Sequence, residues 1–309
     1  MEVAITGASG LIGSAVARSL HRDAHTVRPL VRPQSSSGGE QPDPAAVGWD
    51  PAAGTIDADR LEGLDAVVHL AGAGIGDKRW SAARKREIRE SRTRGTDLLA
   101  RTLAGLERPP AVLLSASGVH YYGDRGDEEL TEASAAGGAG DGFLAELVPA
   151  WEAAAQPAID AGIRTVFLRN GVVLSADGGA LPRLVRIYRW YLGGPLGSGR
   201  QWMSWVSIDD EVGAVRFLIE RHDLSGPVNV VAPDPVRQAD FAQALGSALG
   251  RPARLPTPAF GPRLVLGREM ADQMLFVSQR VLPTVLTGAS YRFVHPDLPS
   301  ALGPVLARS

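Results

Sequence analysis

The first fourteen residues constrain the fold of this chain more than any other stretch. The apolar run Val3-Ala4-Ile5 precedes three glycines at three-residue spacing, and residues 14–20 are then compatible with a helix. Glycines permit a tight turn and a close approach of the backbone to a pyrophosphate, and the free N–H groups of a helix N-terminus attract phosphate. The order of strand, glycine turn and helix therefore predicts a dinucleotide site, although an ordinary glycine-rich turn has the same order. The residues predicted to hold the cofactor here are Gly7, Ser9, Gly10, Leu11, Ile12 and Gly13.

Composition narrows the class of protein. The chain has 309 residues, 44% of them hydrophobic, which suits one large α/β domain or a main domain with a smaller lobe. Its net charge of −2 gives no reason to expect nucleic acid or a membrane as partner. Cysteine is absent and the six histidines lack metal-ligand spacing, so no disulfide and no metal is expected. No apolar run reaches the ~18 residues of a membrane span and no leader is visible, so we expect a cytoplasmic protein.

Strand and helix patterns alternate along the chain as far as residue 170, which predicts a Rossmann fold, a doubly wound parallel sheet of the α/β class. We assign residues 1–170 to a dinucleotide-binding domain with contributions from 205–232, and 171–309 mainly to a smaller substrate lobe with a C-terminal helical cap. Residues 33–46 have the composition of a polar loop. Other expectations are a helix over 143–161, a strand over 202–208, and a helix from Glu211 capped by Asp209 and Asp210.

The end of the second predicted strand bears on the choice of cofactor. It reads Val31-Arg32 and carries no acidic residue to bind the ribose 2′-hydroxyl of NAD, whereas an arginine suits the 2′-phosphate of NADP. The sequence therefore predicts NADP(H), with NAD less favoured, and Arg32 ahead of Arg28 as the phosphate ligand; both could instead be solvated charges. The fourth predicted strand ends in small residues across which a cofactor could lie, namely Leu70, Ala71 and Gly72.

Hydroxyl groups follow the next predicted strand, at the sheet edge where this architecture places chemistry. Ser117, His120, Tyr121 and Tyr122 are the candidates, and for the tyrosines the alternative is core packing for one and a passive lining role for the other. Aromatic and arginine side chains that could line a site for a flat or anionic small molecule are Trp80, Arg169, Arg200 and Trp202.

Several of these motifs resemble those of a known superfamily. Thr6-Gly7-Ala8-Ser9-Gly10-Leu11-Ile12-Gly13 is similar to the Thr-Gly-x-x-Gly-x-x-Gly signature of extended short-chain dehydrogenases/reductases, the NAD-dependent epimerase/dehydratase superfamily. Residues 121–124, 151–152, 169–174, 192–201 and 278–283 resemble an atypical branch, the "epimerase family" or cell-division-inhibitor-like proteins, including its C-terminal extension. The resemblance implies NADP(H) and an oxidoreductase that acts on a small carbonyl or alcohol or on a sugar-nucleotide-like substrate.

The chain departs from the superfamily at its catalytic pair, Tyr-x-x-x-Lys on one helix. A phenol with a pKa of ~10 needs a neighbouring ammonium to exchange protons near neutrality. The two lysines, Lys78 and Lys85, have no tyrosine four residues before them, and the segment where the pair should fall offers Phe143 and Leu147. The tyrosine and lysine roles of the superfamily therefore have no counterpart at these positions.

Two interpretations follow from this departure. In the first, the chain is an enzyme in which Ser117 orients the substrate, Tyr121, Tyr122 or His120 exchanges the proton, and Lys78 supplies positive charge. In the second, the chain binds the nucleotide without turning it over and is a sensing or interaction protein related to cell division. Both leave open whether it forms a homo-oligomer.

Overall fold

A central eight-stranded sheet organises the computed structural model, which describes residues 1–32, 45–138, 140–253 and 255–307. The strands are β1 (Glu2–Thr6), β2 (Thr26–Val31), β3 (Val47–Asp50), β4 (Thr55–Ile56), β5 (Ala66–His69), β6 (Val112–Gly118), β7 (Glu129–Leu130), β8 (Arg164–Asn170), β9 (Val172–Leu174), β10 (Trp202–Met203), β11 (Trp205–Ser207), β12 (Gly226–Val230), β13 (Val236–Arg237) and β14 (Arg280–Val281). The central sheet has the order β12-β8-β6-β5-β1-β2-β3-β4 and is parallel apart from the β3–β4 pair. This order confirms the predicted Rossmann fold.

Helices cover both faces of the sheet. They are α1 (Leu11–Arg22), α2 (Ala82–Ala104), α3 (Phe143–Ala153), α4 (Gln156–Asp160), α5 (Leu181–Arg189), α6 (Ile208–Glu220), α7 (Gln238–Ala248), α8 (Phe260–Leu266), α9 (Arg268–Leu275), α10 (Thr284–Gly288) and α11 (Leu298–Leu306). Successive side chains of a strand point to opposite faces, so Val3 and Ile5 pack in the core with α1 and α6, while Ala4 packs in the core with α2. Burial on both faces explains why the central strands read as continuous apolar runs.

Two predicted elements are interrupted. The helix expected over 143–161 divides into α3 and α4, and Pro157 stands in the first turn of α4, where a proline is tolerated. The strand expected over 202–208 divides at Ser204 because its two halves have different partners: β10 pairs antiparallel with β13, and β11 pairs in parallel with β9. At the division, the Ser204 hydroxyl donates to the Gln279 carbonyl and accepts from the Val281 N–H, which joins it to the C-terminal segment.

The cap of α6 differs from the sequence-based expectation. The helix begins at Ile208, and its cap is Ser207, whose hydroxyl accepts from the Asp210 N–H at 3.0 Å. Asp210 is fully buried and accepts instead from the backbone N–H groups of Val294 and His295, at 2.7 and 3.0 Å. It therefore fastens the C-terminal segment to the domain, a tertiary role that local sequence could not reveal.

The C-terminal segment returns to the sheet after α8 and α9. β14 pairs in parallel with β7, and Asn229 in β12 donates its side-chain N–H to the Leu282 carbonyl. Most of the predicted loop over 33–46 falls on residues 33–44, which lie outside the described residues. Among the residues that are described, none of the helices is both long enough and apolar enough to span a bilayer.

Candidate cofactor cleft and active site

The turn after β1 can be made only by glycine at two of its positions. Gly7 has φ of +68°, and a Cβ there would lie 3.0 Å from the Ala71 nitrogen. A Cβ on Gly13 would lie 2.2 Å from the Gly7 carbonyl oxygen. These distances are below ordinary van der Waals contact, so the turn, the end of β5 and the start of α1 are packed backbone to backbone.

The N-terminus of α1 has the features of an anion-binding site. The helix begins at Leu11, and its cap, Gly10, supplies no side chain to bind the first N–H groups. Ser9 and Gly10 are exposed, while Leu11 and Ile12 are half-buried beside them. First-turn N–H groups without a side-chain cap and the positive end of the helix dipole fit a pyrophosphate, so the residues present suit a dinucleotide.

A buried hydroxyl joins β1 to the end of β5. The Thr6 oxygen accepts from the N–H groups of Leu70 and Ala71, both at 3.0 Å, and contacts His69 Nδ1 at 2.8 Å. Because the Thr6 oxygen already accepts two hydrogen bonds, its hydroxyl proton is donated to His69 Nδ1. The ring proton of His69 is therefore on Nε2, which contacts Thr96 at 3.0 Å. Burial, aided by the charge of Arg92, lowers the pKa of His69 to about 4, so the ring is neutral and has a structural role.

Two arginines of α2 hold the loop that follows β5. Arg92 donates to the Ala73 carbonyl at 2.9 Å, and Arg84 donates to the Gly74 carbonyl. Both are nearly buried, and together with Ile88 they form a stripe of residues at four-residue spacing on the buried face of the helix. Sequence reasoning missed these residues, because arginines are not expected on the buried face of a helix; the four-residue spacing with Ile88 was the available signal.

The strand register separates the two candidates for a 2′-phosphate. Thr6 of β1 is opposite Leu30 of β2, so Arg32 emerges at the same sheet edge as the glycine turn, and it is exposed. Arg28 lies opposite Ala4, further back in the strand, and donates to the Glu2 carboxylate at 2.8 Å. Because Arg28 is engaged toward the opposite end of the strand, the second candidate is withdrawn and Arg32 remains.

Five side chains on and around β6 and β8 form one hydrogen-bonded network. Ser117 donates to Glu152 at 2.6 Å, and Arg169 binds both oxygens of the same carboxylate at 2.8 Å. Arg169 also donates to the Tyr122 hydroxyl at 3.1 Å, which in turn donates to Asn229 at 2.7 Å. Although burial opposes the charged form, Glu152 and the Tyr122 oxygen raise the pKa of Arg169 above its ordinary value, so it stays a cation.

The two tyrosines take different positions around Arg169. Tyr122 has no exposed surface, both bonds of its hydroxyl are internal, and burial raises its pKa. A side chain in this position cannot reach a substrate, so Tyr122 is a packing residue here and not a proton donor. Tyr121 is half-buried, and the Arg169 guanidinium carbon lies 3.3 Å from the centroid of its ring.

The other candidates near this network are placed less favourably. Burial lowers the pKa of His120 to about 4, against the opposing effect of a hydrogen bond with the Gln273 backbone. Lys78 is exposed in the loop after β5, where its charge acts on Glu87 of α2; within the described chain no hydrogen bond or ion pair joins it to Ser117 or to either tyrosine. The structure therefore does not bring Lys78 into the role of the missing lysine.

Phe143 and Leu147 lie in the segment where the sequence predicts the superfamily's catalytic pair to fall. Both are buried at the start of α3, in an apolar cluster that includes Ile88. Trp80 belongs to this cluster, with its ring 5.3 Å from that of Phe143 and its N–H donated to the Ile75 carbonyl. Trp80 is therefore part of the packing beside the loop, with only part of its surface open.

Arg200 and Trp202 lie in a second cluster, outside the Ser117 network. Trp202 donates to Asp127 at 3.1 Å, and the guanidinium carbons of Arg237 and Arg280 lie 4.1 and 4.7 Å from its ring. Arg200 lines a cavity of about 350 Å³ with Arg237 and Arg263. The structure thus divides the four predicted substrate residues among three places, and only Arg169 lies in the Ser117 network.

Comparison with known proteins gives consistent matches over the whole chain. The NAD dependent epimerase/dehydratase family matches residues 3–231, and a domain of unknown function (DUF1731) matches residues 257–304. The epimerase family protein Mb2239 of Mycobacterium bovis is 42% identical over 306 residues, covering 99% of this chain and 98% of its own.

Two solved structures extend the comparison. The crystal structure of human epimerase family protein SDR39U1 (isoform 2) with NADPH superposes with a TM-score of 0.88 at 34% identity, covering both chains fully. The nucleoside-diphosphate sugar epimerase from Corynebacterium glutamicum gives 0.80 at 36% identity, covering all of this chain and 59% of its own.

Proposed function

The chain belongs to the NAD-dependent epimerase/dehydratase family, and from that premise we propose that it is an NADP(H)-dependent oxidoreductase. The proposed substrate is a small carbonyl or alcohol, or a sugar-nucleotide-like molecule. The observation that carries the proposal is the juxtaposition, at one sheet edge, of an uncapped glycine turn and a polar network around Ser117. When bound, NADPH would supply a hydride. The residues of the chain would hold the cofactor, orient the substrate and manage the proton.

The preference for NADP(H) rests on one side chain of this chain and on one relative. Arg32 is exposed at the carboxyl end of β2, beside the turn, where a 2′-phosphate would lie in this fold. The structure of the human relative holds NADPH. Gly7, Gly10 and Gly13 would receive the pyrophosphate, and the loop that begins at Ala71 would lie under the rest of the dinucleotide.

Tyr121 is the residue we propose for proton exchange. It is the half-buried phenol of the pair, and Arg169 places a positive charge against its ring. In the superfamily that charge comes from lysine on the same helix as the tyrosine; here it would come from β8. Ser117, held by Glu152, would position the reacting oxygen of the substrate.

A second candidate function is supported by a different observation. Phe143 and Leu147, in the segment where the catalytic pair is expected, are buried apolar side chains. A chain that has lost the pair and kept the glycine turn could bind the nucleotide as a signal without turning it over. Such a protein would sense the nucleotide or interact with a partner.

One set of measurements separates the two functions. NADPH binding is followed by the fluorescence of the cofactor. Its oxidation is followed at saturating NADPH against aldehydes, ketones, quinones and sugar nucleotides, and the reduction of NADP⁺ is followed with alcohols. We expect turnover with at least one class. Tyr121→Phe should then lower kcat by about 10²–10⁴-fold, the usual contribution of a general acid, with the affinity for NADPH retained.

Tyr291→Phe is the matched control, because the Tyr291 hydroxyl binds the Asp210 carbonyl on α6, away from the network. It should leave kcat unchanged. Tight NADPH binding without turnover across the panel would contradict the oxidoreductase and favour the sensing protein. Absence of NADPH binding would contradict both.

A further inference from the structure

The charges of this chain are distributed unevenly. The whole chain contains 32 basic and 34 acidic residues, but every charged residue within 178–208 and within 241–268 is an arginine. The near-neutral total therefore conceals two long cationic stretches. The expectation that no membrane is a partner rested on that total, and it does not apply to a local surface.

The two stretches lie side by side in the fold. The Thr257 N–H donates to the Pro195 carbonyl at 2.7 Å, and the Gly197 N–H donates to the Thr257 carbonyl at 2.9 Å. The guanidinium carbon of Arg251 lies 4.8 Å from the ring of Tyr191. The exposed residues of 183–192, 251–253 and 255–265 thus form one surface, which we term the arginine face.

Large apolar side chains project from the arginine face. Trp190, Tyr191 and Leu192 follow α5 directly and are 60–73% exposed. Tyr191 has φ of +61°, a strained conformation for a residue other than glycine. Leu255 is 79% exposed, and α8 has no buried residue. Large exposed apolar side chains gathered on one surface are typical of an interaction site.

Cations without acidic partners surround these side chains. Arg183, Arg186 and Arg189 are exposed along α5, and none of them has a carboxylate within ion-pair distance among the residues that the structure describes. Arg263, at the other side of the arginine face, shares Asp272 with Arg268, which lies outside the face. Arg183 donates to the Gly76 carbonyl, so Arg186 and Arg189 are the two arginines that offer unneutralised charge next to the exposed tryptophan, tyrosine and leucine.

We propose that the arginine face docks on an anionic lipid bilayer, with Trp190 and Leu192 entering the interface and the α5 arginines contacting phosphate groups. Tryptophan and tyrosine rings favour the bilayer interface, and basic residues near the surface are attracted by anionic lipid. An acidic protein would have to match the shape of three separate chain segments, whereas a fluid bilayer adapts to them. The attachment is peripheral, because it uses exposed side chains.

Vesicle flotation tests the proposal with the full chain. We expect the protein to float with vesicles of phosphatidylcholine and phosphatidylglycerol, to stay behind with phosphatidylcholine alone, and to be released by high salt. Arg186→Gln with Arg189→Gln should lower partitioning about thirtyfold, from the attraction expected per basic residue near such a surface. Trp190→Ser with Leu192→Ser should also lower it strongly.

Arg94→Gln with Arg101→Gln is the matched control, because it removes the same charge from exposed positions of α2. It should leave flotation unchanged, and NADPH titration of every variant shows that the fold is intact. Equal binding to neutral vesicles, or flotation that the α5 variants do not alter, would overturn the proposal. A failure to float would also overturn it if the protein is retained on polyglutamate, which would identify an acidic protein as the occupant. The same holds if the protein forms a dimer that Trp190→Ser with Leu192→Ser dissociates, which would identify a second copy as the occupant.

Discussion

Glu211, in the first turn of α6, should make the stability of this protein fall as the pH rises. Its side chain is fully buried, and neither carboxyl oxygen has a hydrogen bond of ordinary geometry in the described structure, although the Asn170 side chain lies beside it. Burial raises the pKa of Glu211 to about 8 from a reference value of 4.5, against the smaller opposing effect of Asn170. The folded protein therefore holds a proton that the unfolded chain releases at neutral pH.

The sign and size of the effect follow from linkage. A carboxyl group with a raised folded-state pKa contributes its full stability below the unfolded value and loses it as the pH rises toward the folded value. The interval from the unfolded-state pKa of 4.5 to pH 7 is about 2.5 pH units. At about 1.4 kcal/mol per unit, the free energy of unfolding falls by about 3 kcal/mol over this interval. Glu211→Gln keeps the shape of the protonated form, so it should be more stable than the wild type by about that amount at pH 7 and equal to it near pH 4.5.

Urea unfolding followed by tryptophan fluorescence between pH 4.5 and 8 measures the difference between the two proteins. The difference is informative because the buried histidines, His69 and His120, act in the opposite sense: their lowered pKa values destabilise the fold as the pH falls below about 6.5. Glu220→Gln, at the exposed end of the same helix, should follow the wild type. A difference between wild type and Glu211→Gln that does not grow with pH would refute the reasoning.

Three further predictions concern the cofactor cleft. Gly13→Ala places a Cβ 2.2 Å from the Gly7 carbonyl and should abolish the rise in unfolding temperature caused by NADPH, whereas Gly303→Ala, with no atom near its Cβ, should keep it. Arg32→Asp should raise the Kd for NADPH much more than that for NADH in fluorescence titrations, and equal effects would mean that Arg32 does not meet the 2′-phosphate. Thr6→Val removes the acceptor of the Ala71 N–H and the hydroxyl partner of the buried His69 Nδ1, so urea unfolding should show a loss of about 1–3 kcal/mol, and an unchanged midpoint would contradict this link between β1 and the end of β5.

Features that depend on local order in the sequence were predictable. The alternation of apolar strands and helices, with the glycine turn at its start, predicted the Rossmann sheet, because each of these signals is set within about ten residues. The absence of Tyr-x-x-x-Lys was equally visible, since both members would lie on one helix. Phe143 and Leu147, which occur in the segment where that pair is expected, lie in the buried cluster at the start of α3.

Features that depend on distant partners were not predictable. The strand divides at Ser204 because β10 and β11 pair with different strands, and Asp210 leaves the capping role to Ser207 because its carboxylate accepts from the N–H groups of residues 294 and 295. Glu152 and Arg169 were each recognised as parts of motifs, but their pairing across α3 and β8 required the fold. Lys78 is a similar case. It is one of only two lysines, and its place in the sequence suggested that it supplies positive charge to the active site, but the structure does not bring it to the Ser117 network.

The pairing of Glu152 with Arg169 also bears on what Ser117 can bind. Ser117 gives its only proton to Glu152 at 2.6 Å, and Arg169 holds that carboxylate in place through two further bonds. The hydroxyl is therefore left with its lone pairs, which accept hydrogen bonds and do not donate them. A carbonyl oxygen needs a donor, whereas an alcohol brings its own proton. With Ser117 acting only as an acceptor, a bound carbonyl oxygen would take its hydrogen bond from Tyr121, the phenol proposed for proton exchange, and alcohols with NADP⁺ should be tested beside carbonyls with NADPH.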